Sequence, residues 1–299
     1  MQINYRKIKL TLFFERKFTI NIPFAYVFRS VLGNELHYLS CVLKQQTCHI
    51  CPLRFKCAYS ILFENPINKE NNVISGRDKA PSPYIIKAEY YKNTEIDKVD
   101  ITVVFTGEGI DYISYFLLAV KRAGEKGMFK ERIKYNMGYK SCVNNEYSLE
   151  FDFTGLPLET YIFDESQEKY RKKIAVKFIT PFRYKKNGKY VSEIDVNDIL
   201  LSAKRRLDML SAFYGDKSLT PKLEFIKNSQ ILETNLFWQD SSRYSRRQDI
   251  SMKMGGIAGS MVIEADFMKQ HLSFLEAGRL LNIGKNVSFG LGHIDYEEI

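Results

Sequence analysis

The chain has 299 residues, 45% of them hydrophobic, and its 44 Lys and Arg against 35 Asp and Glu give a net charge of +9 and a pI near 9.1. This composition excludes a wholly disordered chain and allows two domains of ordinary size. The basic balance indicates a polyanionic partner, most simply a nucleic acid, although an ordinary basic protein would have the same charge. Because no apolar run of about 18 residues and no signal-peptide segment occurs, we expect a cytoplasmic protein without a membrane partner.

The first half of the chain alternates strand and helix patterns. Residues 5–22 are rich in strand-forming residues, Pro23 can open a helix, and residues 24–44 have apolar side chains at helical spacing. The apolar face of this first helix comprises Phe24, Phe28, Val31, Leu32, Leu39 and Val42. Further patterns predict strands over 84–91 and 98–107, a helix over 111–127 that ends at a glycine, and strands over 132–143 and 146–153.

The second half repeats this order of elements without repeating the residues. The patterns predict a strand over 172–186, a helix over 195–215, a strand over 255–266, a helix over 267–281 and a glycine-rich final strand over 280–296. The order β-α-β-β-α-β thus occurs twice. The predicted fold class is α+β, with two tandem ferredoxin-like (RRM-like) modules over 1–160 and 161–299 and a cysteine-rich insertion in the first.

The last predicted strand contains glycines at positions where a strand would normally pack side chains. Gly284, Gly290 and Gly292 interrupt it, together with Lys285 and Phe289. Glycine inside a strand marks a bulge or a place where something approaches the backbone closely. One interpretation is that backbone N–H groups bind a phosphate with help from the lysine charge. The alternative is a tight turn that closes the last hairpin.

Three basic segments are candidates for nucleic-acid contact. Residues 169–189 contain nine Lys or Arg and no acid. Tyr170, Phe178, Phe182 and Tyr184 lie between these cations, as in RNA binders that combine phosphate neutralisation with base stacking. A solvated strand face is the alternative. The second segment contains Arg246, Arg247 and Lys253, and the third spans 121–140.

Four of the five cysteines fall within one short segment: Cys41, Cys48, Cys51 and Cys57. In a cytoplasmic chain such clustered thiols suggest a metal, and two cysteines separated by two residues can supply ligands from one turn. Zinc is the first choice, and an iron–sulfur cluster would also suit the spacing. His49 could replace one thiolate, whereas Cys142 stands alone. The alternative is a group of small buried side chains.

Particular strings in the sequence resemble the CRISPR-associated endoribonucleases that cut precursor CRISPR RNA, in the RAMP superfamily. The strings are "FRSVLGNELHYL" (28–39), "CAYSILFE" (57–64), "LLAVKRAGEKGMF" (117–129), "FITPFRYKKNG" (178–188), "AKRRLDMLSAFYG" (203–215), Trp238, "YSRRQDISMKMGGIAGSM" (244–261) and "GKNVSFGLGHIDY" (284–296). The resemblance spans the chain and implies two ferredoxin-like folds, cleavage without a metal, and a 2′,3′-cyclic phosphate product. It also implies that the glycine-rich loop lies near bound RNA.

RNA cleavage by attack of the 2′-oxygen requires proton transfer, for which histidine is suited at neutral pH. The chain has four histidines, and His37 lies on a stripe of the first helix opposite its apolar face. On this stripe Arg29 could meet the scissile phosphate, Tyr26 lies further along, and Gly33 could leave space for a sugar–phosphate backbone. The resemblance also implies a catalytic histidine near this helix. The alternatives are a solvated surface histidine at this position and His293 as the proton carrier.

The predicted function is therefore a metal-independent endoribonuclease that processes precursor CRISPR RNA, with no catalytic cofactor and a structural metal at the cysteines. The predicted partners are CRISPR repeat RNA and an effector complex that receives the product, with the chain as monomer or homodimer. One alternative is a non-cleaving RNA-binding RAMP subunit of such a complex. Another is a zinc-containing nucleic-acid-binding regulator, which leaves the C-terminal strings unexplained.

Overall fold

The computed structural model describes residues 1–44, 47–67, 77–91, 93–140, 147–148, 156–245 and 250–299. These residues form two compact units. One unit comprises Ile3–Thr160 and Ala212–Lys217, and the other comprises Met1–Gln2, Tyr161–Ser211 and Ser218–Ile299. Among the helices of the described residues, none has the length and apolar content needed to cross a membrane.

The first unit is an antiparallel sheet with two helices. Its main elements are β1 (Gln2–Ile20), α1 (Phe24–Ser40), β2 (Tyr84–Ala88), β3 (Thr94–Thr106), α2 (Ile113–Lys126) and β4 (Tyr135–Lys140). The strand order is β2-β3-β1-β4; β5 (Tyr147–Ser148) extends the β4 edge, and β6 (Glu159–Ile162) pairs with β1. A short π-helix (Ser60–Glu64) and a 3-10 helix (Gly107–Tyr112) lie between these elements. This is the ferredoxin-like order predicted from the sequence.

The second unit repeats that order. Its sheet runs β10-β14-β7-β15, and β11 also pairs with β14. The elements are β7 (Lys169–Phe182), α3 (Val196–Tyr214), β10 (Gln230–Thr234), β11 (Phe237–Gln239), β14 (Gly256–Met268), α4 (Lys269–Leu281) and β15 (Ile294–Glu298). Two hairpins complete it: β8 (Lys185–Lys186) with β9 (Lys189–Tyr190), and β12 (Ser242–Ser245) with β13 (Ile250–Lys253). The predicted α+β class with two ferredoxin-like folds is confirmed, while the cysteine-rich insertion and the domain bounds stay predictions.

The apolar face of α1 packs in the core of the first unit. Phe24, Phe28 and Leu32 are buried, with Phe28 next to Phe116 of α2 at a ring-centroid distance of 6.4 Å. Each such fully buried side chain contributes about 1.5–3 kcal/mol to the free energy of unfolding. Val42 was predicted on this face, but it lies beyond the helix and is 76% exposed. The face is therefore shorter than the sequence pattern suggested.

Two of the element boundaries that differ from the prediction affect the candidate site. α1 ends at Ser40 rather than at residue 44, because the Ser40 hydroxyl donates to the Leu36 carbonyl at 2.7 Å and Cys41 has extended backbone. The final strand begins only at Ile294, and the glycine-rich residues before it form a loop with a 3-10 turn over Val287–Phe289. The strands β10 to β13 were not predicted.

Candidate active site and nucleic-acid interface

His37 lies near the C-terminal end of α1 and is half-buried. Its ring meets the Tyr59 ring edge-on, with the two centroids 4.7 Å apart, and its backbone carbonyl accepts a hydrogen bond from the Cys41 N–H at 2.9 Å. The contact with Tyr59 orients the imidazole while part of it stays accessible. This is a suitable setting for a group that exchanges protons with a bound substrate.

A row of rings continues from His37 along the helix. Tyr59 stacks on Phe63, with centroids 5.5 Å apart and planes 6° from parallel, and the Arg29 guanidinium lies 4.8 Å from the Phe63 ring centre. Burial raises the pKa of the Tyr84 hydroxyl, and the charge of the nearby Arg29 guanidinium acts in the opposite direction. Arg29, predicted as a phosphate ligand, is therefore held by Phe63 and Tyr84 within the fold.

Two details of the helix stripe require correction. A Cβ at Gly33 would lie 2.7 Å from Cε1 of Phe63, so the space predicted there for a sugar–phosphate backbone is filled by a side chain of the protein. Tyr26, predicted on the open side of the helix, is only 3% exposed. Helical periodicity identified the side of α1 opposite the apolar core, but it could not show that residues 57–64 return to cover it.

The clustered cysteines surround one small cavity. Cys41, Cys48, Cys51 and Cys57 are half-buried free thiols, and all four line a cavity of about 20 Å³ together with His37 and Tyr59. The exposed His49 is outside this lining. In the described parts of the chain, no three His, Cys, Asp or Glu side chains converge as positioned to hold one ion. Cys142 lies outside the described residues.

The glycine-rich loop is closed by its own backbone. The N–H groups of Lys285, Phe289, Gly290 and Gly292 donate at 2.9–3.0 Å to the carbonyls of Arg183, Asn286, Val287 and Pro181, respectively. The Thr180 hydroxyl donates to the Gly290 carbonyl at 2.8 Å. These four N–H groups already have acceptors and are not available to a phosphate, which favours the alternative of a tight turn for this part of the loop; the phosphate contact of the Lys285 side chain stays a prediction.

The glycines of the C-terminal strings allow chain segments to approach each other. A Cβ at Gly284 would lie 2.6 Å from the Arg183 carbonyl oxygen, one at Gly256 would lie 3.0 Å from Cγ of Arg183, and one at Gly292 would overlap the Ile283 carbonyl. Gly284 and Gly292 also have φ of +84° and +72°, which other residues rarely adopt. What approaches the backbone in this loop is therefore another part of the same chain.

Three of the nine basic residues of 169–189 have acidic partners that the local sequence did not reveal. Ion pairs join Arg171 to Glu264 and Asp266 (3.4 and 3.5 Å), Lys172 to Glu298 (2.6 Å) and Lys186 to Asp198 (2.7 Å). Three of the interleaved aromatics, Phe178, Phe182 and Tyr184, are buried and stack on each other, so they cannot stack on RNA bases. Base stacking by these three rings is therefore excluded, whereas RNA contact by the other basic residues of this segment stays a prediction.

A smaller group of cations remains exposed around Arg183. The Arg183 side chain donates to the Lys253 carbonyl at 2.7 Å, and its own carbonyl accepts from the Lys285 N–H at 2.9 Å. This places Lys253 and Lys285 beside the same buried arginine with their side chains exposed. The Arg183 guanidinium also lies 4.3 Å from the ring centre of the exposed Tyr190, a ring that the sequence pattern missed.

The predicted RNA contact Phe289 is half-buried, with the Arg243 guanidinium 4.3 Å from its ring centre. Arg246 and Arg247, also predicted to contact RNA, lie outside the described residues. Phe289 adds a second ring, and Arg243 a third cation, to the exposed group formed by Lys253, Lys285 and Tyr190. This combination of cations and rings is typical of surfaces that bind single-stranded RNA.

The two remaining histidines of the second half have structural contacts. His271 caps α4: its Nδ1 accepts from the Met268 N–H at 3.0 Å, and its Nε2 donates to the Glu224 carbonyl at 2.6 Å. Burial lowers the pKa of His271 and favours a neutral ring, while the hydrogen bond to the Glu224 carbonyl acts in the opposite direction. The backbone N–H of His293 donates to the Thr180 hydroxyl at 2.9 Å. The bonded N–H groups of the loop do not supply the phosphate site that favoured His293, so the role of His293 stays a prediction that depends on Lys285.

Two family models together span nearly the whole chain. The model of the AF_1859 N-terminal domain matches residues 3–172, and the model of the CRISPR-associated endoribonuclease Cas6 matches residues 176–294. The fold and these matches define a protein of two ferredoxin-like domains from the CRISPR systems. Residues 176–294 belong to the Cas6 family of CRISPR-associated endoribonucleases, and this match supports a CRISPR-associated precursor-RNA-processing family for the chain. No curated protein matches the sequence.

Solved structures of this family share the fold. The Cas6 (TTHB231) product complex matches with a TM-score of 0.54 and 13% identity over 98% of this chain and 100% of that chain. Thermus thermophilus Cas6 (TTHB231) matches with a TM-score of 0.51 and 12% identity over 99% of each chain. In a partial Cas6-RT-Cas1–Cas2 complex, the match has a TM-score of 0.50 and 13% identity and covers 99% of this chain but 46% of that one. At these identities the likeness concerns the fold.

Proposed function

We propose that the protein binds CRISPR repeat RNA and cuts precursor CRISPR RNA within the repeat, by attack of the 2′-hydroxyl and without a metal in the chemical step. Membership of the Cas6 family and the product complex of a structural relative support RNA processing. The observation that carries the assignment to this chain is the half-buried His37 ring, oriented by Tyr59 at the end of α1.

In this reaction the 2′-oxygen loses its proton and bonds to the adjacent phosphorus, while the bond to the 5′-oxygen of the next nucleotide breaks. The 5′-oxygen takes a proton and leaves, and the upstream fragment ends in a 2′,3′-cyclic phosphate. His37 is the proposed proton carrier at the scissile phosphate, because imidazole both accepts and donates protons near neutral pH. Arg29 and Tyr26 are proposed to support α1 around His37, since their side chains are held within the fold.

Binding is assigned to the exposed group on the second unit. Lys253, Lys285 and Tyr190 combine two phosphate-neutralising charges with a ring available for stacking. Phosphate contacts of this kind release counterions and make affinity fall with salt concentration. The proposed division is therefore chemistry on α1 and RNA binding at the residues around Arg183.

The test is cleavage of the repeat RNA encoded beside the protein's own gene cluster, in three buffers: with Mg²⁺, freed of divalent ions, and with EDTA. We expect cutting at one site in all three buffers, with a 2′,3′-cyclic phosphate detected by its resistance to a phosphatase that removes only open phosphate ends. The buffer without a chelator separates a requirement for added Mg²⁺ from the loss of a tightly held structural ion.

Three outcomes would contradict the proposal. Strict dependence on Mg²⁺ would place a metal in the chemical step. A 3′-hydroxyl on the upstream fragment would exclude attack by the 2′-oxygen. Tight binding of the repeat without any cutting would instead favour a non-cleaving RNA-binding subunit of a CRISPR effector complex.

A further inference from the structure

The segment 41–57, called here the cysteine loop, has little besides its thiols to form an interior. Among its described residues, only Cys41, Cys48, Cys51, Cys57 and Arg54 are half-buried, and all the others are exposed. The exposed group includes Ile50 and Phe55, which an ordinary folded segment would bury. Segments too small for an apolar core need another means of support, most often disulfides or a metal ion. The cysteines are thus the interior of this loop.

The ends of the cysteine loop meet at the C-terminal end of α1. The Cys57 thiol lies 3.8 Å from the Ser40 carbonyl oxygen, and the Tyr59 N–H donates to the Ser40 hydroxyl at 3.3 Å. The loop therefore leaves the helix and returns to it at the same place. This brings Cys41 and Cys57, far apart in the loop, to its base.

The other two thiols lie on one turn. The Cys51 N–H donates to the Cys48 carbonyl at 3.3 Å, so residues 48–51 form the compact turn from which two cysteines can face one ion. All four thiols line the same cavity of about 20 Å³. That volume holds about one water-sized particle, which suits a single ion better than a cluster of several iron and sulfur atoms.

We propose that Cys41, Cys48, Cys51 and Cys57 bind one structural zinc ion, and that this ion fixes the end of α1 together with His37. Thiolates are the preferred zinc ligands in closed structural sites. The Arg54 side chain also lines the cavity and offsets part of the negative charge of four thiolates. In the described residues no three of the thiols are close enough to hold one ion. Zinc binding therefore draws the 48–51 turn toward the base of the loop.

The proposed effect of the ion on His37 follows from the cavity that His37 and the four cysteines line together. His37 lines the same cavity as the four cysteines, and its ring packs on Tyr59, which follows Cys57 by two residues. An ion that holds Cys41 and Cys57 together therefore fixes the helix end that carries His37 and the segment that carries Tyr59. The effect of zinc on RNA cleavage rests on the proposed function, whereas zinc binding and its effect on the His37 ring do not.

The experiment measures zinc in protein purified under reducing conditions. We expect about one zinc per chain in the wild type and in Cys142→Ser, the matched control, and a loss of most of it in Cys48→Ser and Cys51→Ser. Replacement by Co²⁺ should give the absorption bands of tetrahedral thiolate coordination. The wild-type protein, stripped with a chelator and reloaded, should lose and regain thermal stability, which tests the site without any substitution.

The ring resonances of His37, assigned by comparison with His37→Gln, should shift or broaden when zinc is removed and recover when it returns. A wild-type protein that holds no zinc and gives no cobalt–thiolate bands under reducing conditions overturns the site. Equal zinc content in Cys48→Ser, Cys51→Ser and Cys142→Ser also overturns it. Unchanged thermal stability or unchanged His37 resonances in the stripped protein overturn the proposed hold on α1.

Discussion

The two units share one order of elements, but the segments that depart from this order are held in different ways. In the second unit, the glycine-rich loop bonds its N–H groups to neighbouring carbonyls and has glycines where chain segments approach most closely. In the first unit, the cysteine loop has half-buried thiols and exposed apolar side chains. The glycine-rich loop is part of the packed fold, whereas the cysteine loop is an attachment to it.

Because of this difference, we expect substitutions in the two regions to affect different properties of the protein. Substitutions in the glycine-rich loop should act first on the stability of the second unit, because they disturb backbone contacts. Substitutions at the end of α1 should act on catalysis, because His37 and its neighbour Tyr59 lie at the edge of the packed core. The conspicuous glycines of the sequence thus mark the scaffold, while the proposed chemistry depends on one histidine.

The largest expected effect on stability comes from Gly292→Ala. Its Cβ would overlap the Ile283 carbonyl, and its backbone has a φ of +72°. The combined overlap and strain should lower the free energy of unfolding by about 2–5 kcal/mol. Urea unfolding followed by the fluorescence of Trp238, the single tryptophan, measures this loss in the same unit.

Gly188→Ala is the matched control for Gly292→Ala. Gly188 has a similar φ of +78°, but no atom lies within 4 Å of its Cβ position. Gly188→Ala should therefore lower the free energy of unfolding only by the cost of the backbone conformation, about 1 kcal/mol. Equal losses in the two variants would show that packing at Gly292 adds nothing, and the contrast between the two units would then lose its basis.

A smaller effect is expected from removing single charges at the RNA surface. Lys285→Ala should weaken binding of the repeat and reduce the slope of log affinity against log salt by about 0.7, the value for one lost phosphate contact on a single strand. Lys172→Ala should change the slope less, because Lys172 is paired with Glu298 at 2.6 Å. Filter binding at several salt concentrations measures both.

The opposite ranking of these two lysine variants would place the RNA on the outer face of β7 rather than beside Arg183. Equal small effects from both would remove Lys285 from the binding surface. In either case the stability of Lys285→Ala should match that of the wild type, since its side chain is exposed, whereas Lys172→Ala should lose up to about 1 kcal/mol with the ion pair to Glu298.

Periodicity and composition predicted the regular elements because each element has its own local pattern. The alternation in β7 and the helical spacing of Phe24, Phe28 and Leu32 are properties of short segments, and burial follows from them. The resemblance to the RNA-processing endoribonucleases was also correct, because its strings contain the glycines that this fold requires where its segments approach each other.

The errors arose where the answer depended on residues distant in sequence. Glycine indicates a close approach, but the sequence does not say whether a ligand or, as at Gly284, the chain's own Arg183 approaches. The acidic partners of Arg171 lie on β14, more than ninety positions away. Phe63 fills the space beside Gly33 because a later segment folds back onto α1. Long-range contacts of this kind leave no local periodicity.

The central claim, that chemistry depends on His37 while binding depends on the second unit, is tested most directly by His37→Ala. We expect single-turnover cleavage of the repeat, with saturating enzyme, to slow by about 10²-fold or more while the Kd for the repeat stays within error of wild type. His49→Ala, which removes an exposed histidine of the cysteine loop, should cleave at the wild-type rate. Wild-type cleavage by His37→Ala, or a loss of affinity that accounts for its slower cutting, would contradict the account.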